Sequence, residues 1–197
     1  MLKIEPRKNR SNFLEVSAPV IAVFLTMIFG GVLFLSMGKN PFEAIKLIFW
    51  DPIMSPTFSE YSRPQLVIKA APLILIALGL SFGFRANIWN IGAEGQYIMG
   101  ALISGSIGLA LYPLDSMFIF PLMILGGIIG GIFWAMIPAI LKIRFNTNEI
   151  LVSLMLVYVA EQILALASVG FLRNPEGLGF PGSRDLSKYP SAANPEL

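Results

Sequence analysis

Apolar residues in this chain come in long runs, not in alternation. Residues 17–37 (SAPVIAVFLTMIFGGVLFLSM) contain no charged side chain. About 20 such residues cross the hydrocarbon core of a bilayer as a helix. A cleaved signal sequence would have a shorter apolar stretch, about 7–15 residues, followed by a small-residue cleavage site. Here the run continues to Met37 and meets Gly38-Lys39-Asn40-Pro41, so it reads as a retained helix. Further runs at about 66–84, 95–112, 117–141 and 150–172 repeat the pattern. They predict an all-α integral membrane protein with about five transmembrane helices. In the second run Lys69 lies one turn inside and can snorkel outward, and Pro72 falls in the first turns, where a kink costs least. Residues 38–65 are mixed. Phe42, Ile45, Leu47, Ile48, Phe49 and Trp50 suit either a short interfacial helix, with Trp50 at headgroup depth, or an ordinary external loop.

The polar segments divide the chain into a basic N-terminal arm (1–16), a transmembrane region (17–172) and a polar, Pro- and Gly-rich segment (173–197). Placing the N-terminus in the cytoplasm puts Lys3, Arg7, Lys8, Arg10, Arg85, Lys142 and Arg144 on the inner side, close to span ends. The opposite side carries a similar number of basic residues, but mostly in the longer segments 38–65 and 173–197. The arm and the short loops are the clearer topological signal, so the N-terminus is expected inside and the C-terminus outside. Gly79/Gly83, Gly126/Gly130 and Gly127/Gly131 repeat at a spacing that lets helix backbones approach, and Ser104/Gly108 continues it in the third run.

Composition agrees with the membrane class. Hydrophobic residues make up 55% of the 197 and charged residues 13%, against about 25% charged in a soluble domain. The net charge of +2 gives no footprint for nucleic acid. With no His and no Cys in the sequence, a thiol nucleophile, a Ser-His pair, a His-ligated haem and the usual zinc sites are excluded. A phosphate-binding loop is also absent: the only Gly-Lys pair, Gly38-Lys39, is followed by Asn40. If ATP drives the system, another chain binds it, and no cofactor or metal is expected on this one.

Three polar clusters interrupt the apolar pattern. Between runs two and three lies Asn87-Ile88-Trp89-Asn90-Ile91-Gly92-Ala93-Glu94-Gly95-Gln96. It reads either as a solvated cytoplasmic loop or as a helix break or re-entrant segment lining a polar cavity. In the second reading Gly92 and Gly95 permit the turn, and Glu94 and Gln96 stabilise the start of the third helix. The next cluster, Lys142–Glu149, includes Arg144, Asn146, Thr147, Asn148 and Glu149. Thr147 or Asn148 can cap a helix, Glu149 suits its first turn, and the loop is either a plain capped turn or a docking element for a cytoplasmic partner. Last, Glu161 and Gln162 fall near the middle of the fifth run. A charge there costs about 2.5–3.5 kcal/mol on insertion scales, so it faces protein or water or is protonated. Tyr158, Glu161, Gln162 and Ala165 share one helical face, which fits a buried hydrogen-bond network or a pathway lining.

Residues 84–96 (FRANIWNIGAEGQ) resemble the "FNIGAEGQ" segment of ABC importer permeases. The likeness is to the nucleoside and simple-sugar branch of the branched-chain amino acid/ribose permease family, with Trp89 in place of the usual Phe or Leu. Residues 146–156 (NTNEILVSLML) resemble the "TNEVI-T-ML" segment of the same group, a coupling region that contacts the ATPase. The resemblance covers essentially the whole chain. It implies a transport subunit rather than an enzyme, in a bacterial cytoplasmic (inner) membrane. The implied partners are a second permease subunit, a cytoplasmic ATPase that hydrolyses ATP, and an external or periplasmic substrate-binding protein. Asn90, Gly92, Glu94 and Gln96, with Asn87, Glu161 and Gln162, are then the expected pathway residues. Arg144, Asn146, Thr147, Asn148 and Glu149 are the expected coupling residues. Such permeases are much longer, so the chain is expected to be an N-terminal portion that stops in an external loop. The competing reading is a stand-alone secondary transporter or channel with Glu161 as its coupling group.

Overall fold

The computed structural model describes residues 12–180, 182–186 and 189–192, and among these there is no strand. The basic residues Lys3, Arg7, Lys8 and Arg10 lie outside the described residues. The chain forms α1 (Asn12–Ser36), α2 (Pro41–Ile45), a π-helical turn (Lys46–Trp50), α3 (Asp51–Met54), α4 (Ser59–Arg85), α5 (Ala93–Ala110), α6 (Ile119–Phe145) and α7 (Glu149–Val169). It divides into two compact units, with the boundary inside α4 between Ile74 and Leu75.

In the first unit α1 ends on Gly38, whose φ of +70° is left-handed. The Lys39 amide returns to the Phe34 carbonyl at 2.9 Å and the Gly38 amide to Leu35 at 3.0 Å. This closes the helix as a Schellman motif, which needs a residue without a Cβ penalty. Asn40 then starts α2 by accepting from the Phe42 amide at 3.0 Å, and Pro41 occupies the first helical position, where no donor is lost. Helix α2 folds back on α1, with the Pro41 Cβ 3.5 Å from where a Cβ on Gly31 would stand. The mixed segment after the first run is thus helical from Pro41 to Met54.

The second unit is organised around α5. Its small residues pack antiparallel to the glycines of α6: a Cβ on Gly100 would stand 2.9 Å from the Gly127 carbonyl oxygen, and one on Gly130 3.1 Å from that of Met99. Gly126 lies directly against Ile107, and Gly108 against Met123. On another side α5 meets α7, where a Cβ on Gly95 would lie 3.1 Å from the Val157 Cα. Gly79 has nothing within 4 Å and Gly83 only the Ile88 carbonyl. That glycine pair therefore makes no helix contact here, although its spacing matches the others.

At the other end of α5, residues 182–186 and 189–192 lie over the α5–α6 turn. The Tyr189 hydroxyl donates to the carbonyls of Leu111 and Leu114, and its ring meets Tyr112 edge-on at 5.3 Å. Burial, the Asp115 carboxylate and Tyr112 push the Tyr189 phenol above its usual range. Ile119, Met123, Tyr189 and Ala192 form the buried cluster there.

Four helical segments, Val16–Ser36, Ser59–Arg85, Ile119–Phe145 and Glu149–Val169, are long and apolar enough to cross a membrane. Their outward faces carry large apolar side chains such as Phe29, Phe82, Phe133 and Leu166, the arrangement a lipid-facing helix requires. Helix α5 occupies the third apolar run but opens on Glu94 and Gln96, and it is not one of the four. The segment 142–149, expected to be loop, is helical up to Phe145, and only 146–148 connect α6 to α7. The reason is local: Lys142 and Arg144 in the last turn of α6 complement its dipole.

Gly100→Leu is expected to destabilise the protein by about 1–3 kcal/mol, the usual cost of overpacking, because the facing atom is backbone. Gly105→Ala, with nothing within 4 Å, is expected to be neutral or stabilising by up to about 1 kcal/mol. Thermal unfolding of the two variants in detergent checks the contrast.

Candidate functional site

Non-helical backbone from Ala86 to Gly92 separates α4 from α5. Helix α4 closes as α1 does: the Ile88 amide donates to the Gly83 carbonyl at 2.9 Å and the Asn87 amide to Phe84 at 3.1 Å. Asn87 takes the left-handed position, φ 57°, which Asn tolerates better than most residues. Asn90 accepts from the Gly92 amide at 2.9 Å, an Asx turn that leads into α5. Gly92 itself has φ −90°, so it is not there to supply a left-handed turn. It permits close approach instead: a Cβ would lie 2.9 Å from both the Ser153 Cβ and the Ser153 carbonyl oxygen. Gly95 likewise lies inside α5 against α7 and is not part of the turn.

The second polar cluster forms the α6–α7 connection. Asn146 ends α6 in the left-handed conformation, φ 51°, with its amide bonded to Lys142 at 2.9 Å. Asn148 caps α7, accepting from the amides of Ile150 at 3.0 Å and Leu151 at 3.4 Å. Between the two possible caps the structure thus selects Asn148. The Thr147 hydroxyl is buried without a partner. Lys142 and Glu149 close the connection with an ion pair of 2.9 Å. Both are partly exposed and screened by solvent, so the pair contributes little stability. Its use is to fix geometry between two helix ends.

These two elements face each other across a cavity of about 420 Å³. Asn87, Ile88, Trp89, Asn90 and Gln96 line one side, and Ala135, Pro138, Ala139, Lys142, Ile143, Glu149 and Ser153 the rest. The walls are mainly apolar with a few amide, hydroxyl and charged groups, the composition of a small-molecule site. Trp89 is braced by Phe84 at 5.1 Å between ring centres. Close by, the Trp134 Nε1 is buried with no partner, in contact with the Gly95 position.

The fold therefore gathers Asn87, Asn90 and Gln96 from the expected pathway set and Glu149 from the expected coupling set. It does not gather the others. Gly92 is buried behind the lining, and Glu94 is exposed in the first turn of α5. Glu161 and Gln162 are exposed on α7, because the buried face of that helix runs through Ser153, Val157, Ala160 and Ala167. No buried network forms around Glu161 among the described residues. Arg144, Asn146, Thr147 and Asn148 shape the turn without lining the cavity. Lys142 and Ser153 line it and were not among the expected site residues. A basic residue in the last turn, followed by Asn, is the terminator signal that identifies Asn87 and Asn146 as helix ends. No sequence signal of that kind marks Ser153.

Four membrane-length apolar helices among the described residues, with a mainly apolar cavity carrying a few polar groups between helix ends, define a multi-pass membrane protein. Residues 63–193 match the model of the branched-chain amino acid transport system / permease component family. The chain belongs to that family. It is 31% identical to the glucose ABC transporter permease protein of Haloferax volcanii over 94% of its own length and 47% of the relative's. It is 28% identical to a nucleoside ABC transporter permease protein of Lactococcus lactis over 74% of its own length and 39% of the relative's. Against a guanosine ABC transporter permease protein of Bacillus subtilis it is 31% identical over 72% and 39%. The chain spans less than half the length of these curated relatives. No solved structure matches.

Asn87→Gly is expected to keep the α4 closure, whereas Asn87→Val strains it by about 1–2 kcal/mol. A transport loss shared equally by both variants would assign the effect to the lost amide and not to the backbone. Asn148→Ala is expected to cost about 1 kcal/mol through the lost cap, more than Glu149→Gln. Unfolding midpoints of the two variants measure the difference.

Proposed function

We propose that this chain forms part of the membrane-spanning permease of an ATP-driven importer and contributes to the pathway for a nucleoside, or alternatively a simple sugar. The observation that carries the reading is the single cavity lined both by the 87–96 segment and by the Lys142–Glu149 connection. An importer needs a substrate-facing break in its helices and a turn that receives motion from outside the membrane, and here the two are neighbours. Substrate class follows from the family and from the named activities of the relatives. It agrees with the chemistry of the lining: Asn and Gln amides present both donors and acceptors, as do nucleobase edges and sugar hydroxyls.

In this reading α5 counts as a fifth span beside the four apolar helices, the N-terminus is cytoplasmic, and residues 173–197 are external. The α6–α7 connection then faces the cytoplasm, where a separate ATPase hydrolyses ATP and drives alternating access. A second permease subunit completes the pathway and an external binding protein delivers the substrate. The assembly resides in a bacterial cytoplasmic membrane. Asn90 and Gln96 contact the substrate as it passes. Asn87 and Gly92 shape that passage, and Glu94 supports the start of α5. Glu161 and Gln162 face a further pathway wall. Glu149, with Arg144, Asn146, Thr147 and Asn148, forms the coupling surface.

In the complete transporter, Asn90→Ala, Glu94→Ala and Glu149→Ala are each expected to lower the rate of uptake on the order of tenfold. This corresponds to losing about one strong polar contact. Membrane abundance should be unchanged. Uptake of labelled nucleoside into vesicles loaded with ATP measures it, and normal uptake in all three variants would sink the assignment. Uptake that persists without the ATPase but collapses with the proton gradient would favour a secondary transporter instead.

A further inference from the structure

Ser153 lies one turn into α7 and is 2% exposed. Its hydroxyl donates to the Ile150 carbonyl at 3.1 Å, and its oxygen accepts from the Ile91 amide at 3.3 Å. A side chain on the α6–α7 side is thereby bonded to the backbone of the α4–α5 break, 62 residues away in sequence. We infer that Ser153 is a positioning residue that ties the first turn of α7 to the 90–92 segment, so that displacement of the turn reaches the cavity wall.

Both ends of the tie are fixed. On the turn side, Asn148 holds the amides of Ile150 and Leu151, and Ile150 is the residue whose carbonyl Ser153 engages. On the break side, the Asn90 side chain holds the Gly92 amide, and the Ile91 amide between them is the one Ser153 accepts from. Steric contact removes the remaining slack. Gly92 stands so close to Ser153 that a Cβ there would lie 2.9 Å from its Cβ and its carbonyl oxygen. Elements packed at van der Waals distance transmit displacement because protein interiors compress little. The chain of contacts runs from Glu149 through Asn148, Ile150 and Ser153 to Ile91 and Asn90. Its terminal members, Glu149 and Asn90, line the same cavity, as does Ser153 itself.

The inference rests on the importer reading and adds to it the residue through which turn and break are joined. A merely structural serine, present to satisfy the Ile91 amide, would affect stability and abundance but not the substrate moved per ATP hydrolysed. That ratio is therefore the readout, taken on the complete transporter with its ATPase and binding protein in proteoliposomes. Ser153→Ala removes the acceptor, and Gly92→Ala forces the two segments apart. While hydrolysis continues, the ratio is expected to fall about fivefold in Ser153→Ala, the effect of one net hydrogen bond, and to fall also in Gly92→Ala through the steric clash with Ser153. Hydrogen exchange of the segment around Ile91 should quicken in Ser153→Ala, which reads the tie without reference to transport. ATP-driven uptake in the parent protein with an unchanged ratio in both variants would overturn this inference alone. Parent uptake that does not depend on ATP would overturn the importer reading and this inference with it.

Discussion

The close approach of α5 to its neighbours is the constraint on which the second unit depends. A Cβ at Gly100 would press on the Gly127 carbonyl, one at Gly95 on Val157, and one at Gly92 on Ser153. Lipid offers no hydrophobic drive for helices to associate, so association relies on tight van der Waals packing between small residues. Only with α5 seated against both α6 and α7 do the break before α5 and the turn before α7 come within reach of each other. The cavity is a by-product of that seating. Its walls are the two places where helical hydrogen bonding stops.

Three of the helix ends beside the cavity, those of α4, α6 and α7, are closed locally, whereas α5 starts at Gly92 without a side-chain cap. Asn87 and Asn146 take left-handed conformations, and Asn90 and Asn148 accept backbone amides. The asparagines of the two motifs thus have structural duties besides any contact with substrate or partner. A membrane-embedded break must satisfy its own backbone groups, since the hydrocarbon cannot. In the importer reading, this self-sufficiency lets non-helical segments line a pathway without collapsing into it. The Lys142–Glu149 pair bridges the last turn of α6 and the first turn of α7 and contributes little stability in water.

Glu161 and Gln162 make a different case. The helical periodicity of α7 places Gln162 opposite its buried residues and Glu161 on the flank of that stripe, and the structure leaves both exposed. An exposed carboxylate in the middle of an apolar helix is costly against lipid. Under the proposed function these side chains look onto parts of the transporter beyond this chain, which spans less than half the length of its relatives.

The sequence alone determined the class of the molecule. Apolar run length predicts long helices, and a helix occupies each of the five predicted positions. Composition removes the thiol, zinc and phosphate-loop chemistries, and the two motifs identify the family. These features are legible because they are local, set by successive residues and by covalent identity. Only tertiary structure decided which motif residues meet. It brought Asn90 and Gln96 to the same cavity as Glu149 and left Glu94 and Glu161 outside. It converted Gly92 from an expected turn residue into a contact residue, and it revealed Ser153. Those outcomes depend on how α5 rotates and slides against α6 and α7. That orientation is fixed by contacts between residues 15 to 62 positions apart; the glycine spacing marks faces that can approach closely but not which faces meet.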